Sequence, residues 1–170
     1  MFLSVFDLFK VGIGPSSSHT MGPMRAAGRF LNMMRQSPFE FGGIKLRLYG
    51  SLAFTGIGHA TDRASILGLA GFTLANFEAE AAESVLAQIA YTGEITQPIL
   101  HTLKSNKKED LVFDYGPNLP GHTNGMVLMA TDAQGDVVLQ ETYYSIGGRF
   151  VLTAAELAQG KDVESGLTVP

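Results

Sequence analysis

Met24, Ala27, Leu31 and Met34 recur at the three- and four-residue spacing of a single helix face. That spacing predicts a helix from Thr20 to about Gln36, with Pro23 tolerated in its first turn and Ser37-Pro38 ending it. Ile44 to Tyr49 alternates strictly between apolar and polar residues and predicts a half-buried strand. Gly50-Ser51 closes it and opens a short helical segment from Leu52 to Thr55, after which Gly56-Ile57-Gly58-His59 should break the backbone again. Thr61 or Asp62 is placed to cap a helix over Arg63–Ala70, and the alanine-rich run from Glu78 to Ala90 predicts another, with Val85, Leu86 and Ile89 inward. A polar turn at Ser105–Asp110 precedes a strand at Leu111–Phe113, and Pro117 to Gly121 reads as loop. Met126–Thr131 and Val137–Tyr144 are strands joined by the hairpin loop Asp132-Ala133-Gln134-Gly135. Gly147-Gly148 then bends the chain into a last strand, Phe150–Leu152, and Thr153-Ala154-Ala155-Glu156 has the capping-box spacing of a terminal helix. Near the start, Val5 to Lys10 is expected to form one short helical turn, with Phe2, Phe6 and Phe9 on one face suited to core packing. Helices come early, the hairpin comes late and no regular βαβ alternation is present. The expected fold is α+β, a two-layer α/β sandwich with a largely antiparallel or mixed sheet.

Composition narrows the partners. A chain of 170 residues fits one domain with a core large enough to fold unaided. The absence of cysteine excludes a disulfide scaffold, a thiol nucleophile and any thiolate metal site within it, and fits a reducing compartment. A formal charge of −4 without a basic run argues against nucleic acid. The apolar opening lacks a positive flank and meets Asp7 early, so it does not read as a secretory signal. No apolar run approaches the ~20 residues that cross a bilayer. A soluble, cytoplasmic domain is expected.

The chemistry concentrates in Gly12-Ile13-Gly14-Pro15-Ser16-Ser17-Ser18-His19-Thr20-Met21-Gly22. A hydroxyl-rich turn feeding a helix N-terminus suits an anion, because backbone N–H groups and the helix dipole point the same way. It is not a dinucleotide fingerprint, since Ser17 stands where the third glycine belongs, and neither a P-loop nor a Gly-x-Ser-x-Gly elbow occurs. Two further glycine-flanked breaks each carry a histidine: Gly58-His59-Ala60-Thr61-Asp62 and Gly121-His122-Thr123-Asn124-Gly125. At least two of these histidines are expected to line one pocket, the three loops approaching one another or opening on one concave face, whereas His101 sits on an ordinary stretch. The serine hydroxyls would bind a carboxylate or phosphate, or merely cap the helix; one hydroxyl suffices for a cap, so three favour a ligand. A bound anion would favour the protonated form of His19. Asp62 either orients His59 or caps the following helix. None of the histidines has the paired spacing that zinc sites favour.

These residues resemble a known family. The run from Ser4 to Met24 is similar to the signature opening of the bacterial iron–sulfur-dependent L-serine dehydratases. The likeness continues through Gly50-Ser51-Leu52-Ala53, Thr55-Gly56, Gly58-His59, Thr61-Asp62 and Leu67-Gly68-Leu69. It recurs at His122, Asn124-Gly125-Met126 and Tyr143-Tyr144-Ser145-Ile146-Gly147-Gly148. The resemblance implies a β domain over residues 1–160, with 161–170 opening a linker to an α domain whose cysteines hold a [4Fe–4S] cluster. It implies conversion of L-serine to pyruvate and ammonia without pyridoxal phosphate, in a homo-oligomeric enzyme. It also implies a fold like the allosteric substrate-binding domain of some D-3-phosphoglycerate dehydrogenases. On the same resemblance, His19 and His59 are candidates for proton transfer, and Ser16, Ser17, Ser18, Thr20, His122 and Asn124 for holding substrate. Which histidine is the base stays open at this stage, as does a regulatory serine-binding role instead of a catalytic one. Thr123 stands where many relatives have proline, and Arg149 where a third glycine is common. Without its α domain the chain is expected to be inactive.

Overall fold

The computed structural model describes residues 16–97, 100–147 and 150–165, the last five as backbone. The expected helical turn at Val5–Lys10, its Phe2, Phe6 and Phe9, the run Gly12 to Pro15, and Arg149 lie outside the described residues.

The hydroxyl-rich stretch winds into a π-helical turn, Ser17–Met21, that runs straight into α1 (Gly22–Gln36). The predicted helix therefore begins earlier than expected, in a single π-helical turn that continues into the α-helix. Ser37, in extended conformation, ends α1, and β1 (Gly43–Tyr49) follows. Next come α2 (Gly50–Phe54), α3 (Gly56–His59), α4 (Thr61–Leu69) and α5 (Ala79–Thr92). The second half holds β2 (Glu94–Ile95), β3 (Leu103–Lys104), β4 (Leu111–Asp114), β5 (Gly125–Thr131), β6 (Val137–Gly147), β7 (Phe150–Thr153) and α6 (Ala154–Ser165).

The strands form one seven-stranded mixed sheet ordered β2-β3-β1-β5-β6-β7, with β4 also paired to β1. β1 is antiparallel to β5 on one side and parallel to β3 and β4 on the other. The parallel pairings require a crossover, and α2 to α5 supply it. The sheet and helices bear out the expected α+β two-layer arrangement.

Register places the core. Ile44 faces Ala130, Leu46 faces Leu128 and Leu48 faces Met126, all of them buried. Ala26, Ala27, Phe30 and Met34 of α1 and Leu52 and Ala53 of α2 close over them in one cluster. Each large aliphatic or aromatic side chain so buried contributes about 1.5–3 kcal/mol. The other face carries Lys45 and Arg47, paired with Asp110 at 4.0 Å and Asp114 at 3.7 Å. The alternation read in β1 is this two-faced environment. α1 and α4 approach so closely at Gly68 that a Cβ there would lie 2.3 Å from the carbonyl oxygen of Met24.

Two expectations differ from the structure, and two short strands lie beyond them. Gly56 to His59 is a helical turn, and the break falls one residue later, at Ala60, which adopts left-handed φ 54°. Neither Thr61 nor Asp62 caps α4, whose N-cap position is Ala60. The two-residue strands β2 and β3 were not anticipated, because two residues display no period. The capping box, by contrast, forms as read: Thr153 N–H donates to Glu156 Oε2 at 2.8 Å and Glu156 N–H to Thr153 Oγ1 at 3.1 Å. Glu156 also takes two bonds from Arg29, which reaches the carbonyl of Val151 at 2.7 Å. Replacing Thr153 by alanine is expected to lower stability by about 1 kcal/mol, measured by urea denaturation.

Candidate functional site

The site grows from the end of the central strand. After Tyr49 the chain turns at Gly50 with φ +54°, and a Cβ there would lie 2.2 Å from the carbonyl oxygen of Thr123. The corner puts the N–H of Ser51 on Thr123, 2.9 Å from its carbonyl and 3.2 Å from its hydroxyl. Thr123 thus contributes both its carbonyl and its hydroxyl to this contact. The carbonyl of Ser51 accepts from Thr55, at 3.1 Å from N–H and 2.7 Å from the hydroxyl. Thr55 in turn offers its carbonyl to His59 Nδ1 at 2.9 Å.

The π turn delivers His19 to the same place. Its Nε2 lies 2.9 Å from Ser51 Oγ, and its Nδ1 lies 2.9 Å from Ser18 Oγ and 3.2 Å from Ser16 Oγ. Ser16 and Ser18 are themselves 3.1 Å apart. The buried hydroxyl of Thr61 donates to the backbone carbonyl of His19 at 2.6 Å, so Thr61 fixes that turn instead of capping a helix. Thr20, also buried, donates its hydroxyl to the Ser16 carbonyl at 2.5 Å. Ser16 makes no side-chain capping bond. The rings of His19 and His59 are 4.9 Å apart between centroids, tilted by 36°.

The third loop joins through its neighbours. His122 Nδ1 accepts the N–H of Asn124 at 3.0 Å. Asn124 Nδ2 donates to the carbonyl of Ser145 at 3.0 Å, and the N–H of Ser145 returns to the Asn124 carbonyl at 3.0 Å. Asn124 Oδ1 and Ser145 Oγ are buried without a partner among the described residues. His19 and His59 are therefore in ring contact, while the His122 loop reaches them through Thr123 and Ser51. His101 is exposed. Asp62 does not orient His59; its carboxylate lies 3.5 Å from Lys107 Nζ. A cleft of about 970 Å3 opens between α5 and the 104–111 segment, and no histidine lines it.

Hydrogen-bond partners assign the ring protons. A carbonyl only accepts, so His59 Nδ1 carries a proton and the lone pair of the neutral ring is on Nε2. The N–H of Asn124 only donates, so the neutral ring of His122 carries its proton on Nε2. His19 is flanked by hydroxyls, which serve either way. Burial, followed by the neighbouring His59, pushes His19 below the ordinary value of 6.5, opposed in part by a hydrogen bond at Ser51. It is therefore neutral near pH 7. The unfolded chain binds that proton more readily than the folded one. The stability contribution is accordingly complete above 6.5 and falls as pH drops through the window below it. In an NMR titration His19 is expected to titrate below 6.5, and His59→Gln to move its midpoint upward by removing the neighbouring ring that opposes its protonation. A midpoint unmoved by that substitution would contradict the coupling.

Ser51 and Thr55 were not singled out from sequence. A serine opening a short helix reads as an ordinary start, and its reach to His19 spans 32 positions. Sequence-local signals do not carry such contacts.

The end of the central strand thus carries paired imidazoles among hydroxyls, groups that can accept and donate protons near neutral pH. The chain belongs to the serine dehydratase beta chain family, whose model matches residues 4–156. It is 44% identical over 154 residues to an L-serine dehydratase of Streptomyces coelicolor, covering 89% of this chain and 34% of that protein. It is 38% identical over 174 residues to one from Haemophilus influenzae, covering 99% and 37%. L-serine dehydratase 1 of Escherichia coli is 37% identical over 175 residues, covering 99% and 37%. The chain spans about a third of the length of these relatives. No helix among the described residues is long and apolar enough to cross a membrane.

Proposed function

We propose that this chain is the β domain of an L-serine dehydratase, supplying proton-transfer and substrate-holding groups for conversion of L-serine to pyruvate and ammonia. The observation that carries the reading is the His19–His59 pair, 4.9 Å apart and bracketed by hydroxyls. In this reading the Cα proton of serine goes to His59 Nε2. The Thr55 carbonyl accepts from Nδ1 whether or not Nε2 is protonated, so the ring need not turn during the step. His19 stays neutral, since burial and a charged neighbour both oppose its protonation. The turn Ser16 to Thr20 and Asn124 hold the substrate's polar groups, and His122, whose Nδ1 is taken by the Asn124 N–H, offers Nε2–H as a donor. The hydroxyl leaves as water, carrying in balance the proton that His59 took from Cα, and the aminoacrylate so formed tautomerises to an imine that water hydrolyses to pyruvate and ammonia.

The remaining two thirds of the enzyme would complete the site as an α domain. The exposed Phe54, Ile57 and Tyr115 support this: they are 64%, 71% and 55% exposed and flank the segment that carries His59. Phe54 and Tyr115 stack on each other at 5.2 Å, forming an apolar surface suited to a docked partner. A [4Fe–4S] cluster does not fit this chain. It has no cysteine, and no group of three or more His, Asp or Glu among the described residues could hold a metal ion. The cluster would belong to the α domain. The same reading makes the enzyme a cytoplasmic homo-oligomer.

The test is anaerobic reassembly with an α domain, followed by His19→Ala and His59→Ala. Each is expected to abolish most serine turnover. Turnover intact in both, with only a response to added serine altered, would replace catalysis by a regulatory serine-binding role.

A further inference from the structure

The tautomers of the three histidines set His19 apart. His59 is pinned by a carbonyl and His122 by a backbone N–H, but both nitrogens of His19 meet hydroxyls, at 2.9 Å on each side. A hydroxyl reverses from donor to acceptor by rotating about its Cβ–Oγ bond. With its proton on Nε2, the ring donates to Ser51 Oγ and accepts from Ser18 or Ser16. With its proton on Nδ1, the same partners serve in the opposite sense. Neither tautomer leaves a ring nitrogen unpaired, and unpaired buried nitrogens are what ordinarily separate two tautomers in energy.

Ser18 and Ser16 lie on the same turn as His19 and form a local pair at 3.1 Å. Only Ser51 comes from elsewhere, and its backbone is held at both ends, by Thr123 through its N–H and by Thr55 through its carbonyl. We propose that Ser51 is a positioning residue that holds His19 with its two tautomers near balance, so that the ring can take a proton on one nitrogen and release one from the other. The exchange moves one proton in and one out, through water or the bound molecule, and leaves the charge of the ring unchanged. The catalytic consequence rests on the dehydratase reading, whereas the tautomer balance does not.

The two are tested separately. Ring 15N shifts of the 170-residue chain, recorded above the midpoint of His19, are expected to be averaged, with Nδ1 and Nε2 alike. In their neutral forms His59 and His122, by contrast, should each show one protonated and one bare nitrogen. In Ser51→Ala the averaging at His19 is expected to collapse to one tautomer, and in Ser51→Thr, which keeps the hydroxyl, to persist. A single tautomer at His19 in the unsubstituted chain would overturn the proposal, as would averaging unchanged in Ser51→Ala. In the reassembled enzyme Ser51→Ala is expected to lower kcat about tenfold with little change in KM, the rate equivalent of one hydrogen bond. Collapse of the averaging with kcat unchanged would overturn the catalytic consequence and leave the dehydratase reading intact.

Discussion

In the reassembled enzyme, His59→Ala is expected to lower kcat for serine about 100- to 10,000-fold, the usual contribution of a positioned general base. The ring is half-buried at the end of a four-residue helical turn, and the one hydrogen bond the described structure gives it is to the Thr55 carbonyl. Removing it uncovers a carbonyl near solvent and opens no core cavity. Stability should therefore change by less than about 1 kcal/mol, read from urea denaturation. That separation makes the result interpretable. His19→Ala should also lower kcat, but with a larger stability cost, because three serine hydroxyls lose their shared partner. A His59→Ala enzyme with near-normal kcat and a raised KM would place His59 in binding and leave proton transfer to His19.

Gly50→Ala is expected to destabilise the domain by about 2–5 kcal/mol. Left-handed backbone costs an L-residue roughly 1–2 kcal/mol, and forcing a methyl group into filled space a further 1–3. Both apply: φ is +54°, and the added Cβ would lie 2.2 Å from a backbone oxygen of Thr123, which cannot move aside as a side-chain end could. The melting temperature should fall by roughly 10 °C for a domain of this size. The oxygen that must shift is the one holding Ser51 N–H, so relief of the clash would also move Ser51 off His19. Loss of the averaged His19 ring shifts in the still-folded fraction would show that coupling. A variant melting within 2 °C of the parent would mean that the corner relaxes freely.

Much of the architecture is local in origin. The 3.6-residue period over Met24 to Met34, the alternation of Ile44 to Tyr49, the hairpin at Asp132 to Gly135 and the reciprocal pair Thr153–Glu156 involve residues within a turn or a strand of each other. Their geometry follows from backbone sterics and burial on one face, so the chain displays them unaided. Clustered polar residues in glycine-flanked breaks likewise pointed to His19, His59 and His122. The same local logic failed at Gly56 to His59, where two glycines suggested a break. The turn closes helically because the N–H of Thr55 returns to Ser51 and that of His59 to Thr55, and the left-handed residue is an alanine.

What those histidines do was decided by contacts that no local pattern carries. The 15 residues of α1, the length of β1 and the turn at Gly50 together bring Ser51 to His19 across 32 positions. The backbone of His19 is tied to Thr61 across 42. By itself the sequence determined an α+β domain with a hydroxyl-rich turn and three histidine loops. Tertiary structure decided that two of the rings meet, that Asp62 serves Lys107, that a carbonyl sets the ring proton of His59 and an amide that of His122, and that hydroxyls flank both nitrogens of His19. The physical reason is range. Helix and strand periods repeat within a few residues, whereas a tautomer is set by whichever donor or acceptor the completed fold places within 3 Å.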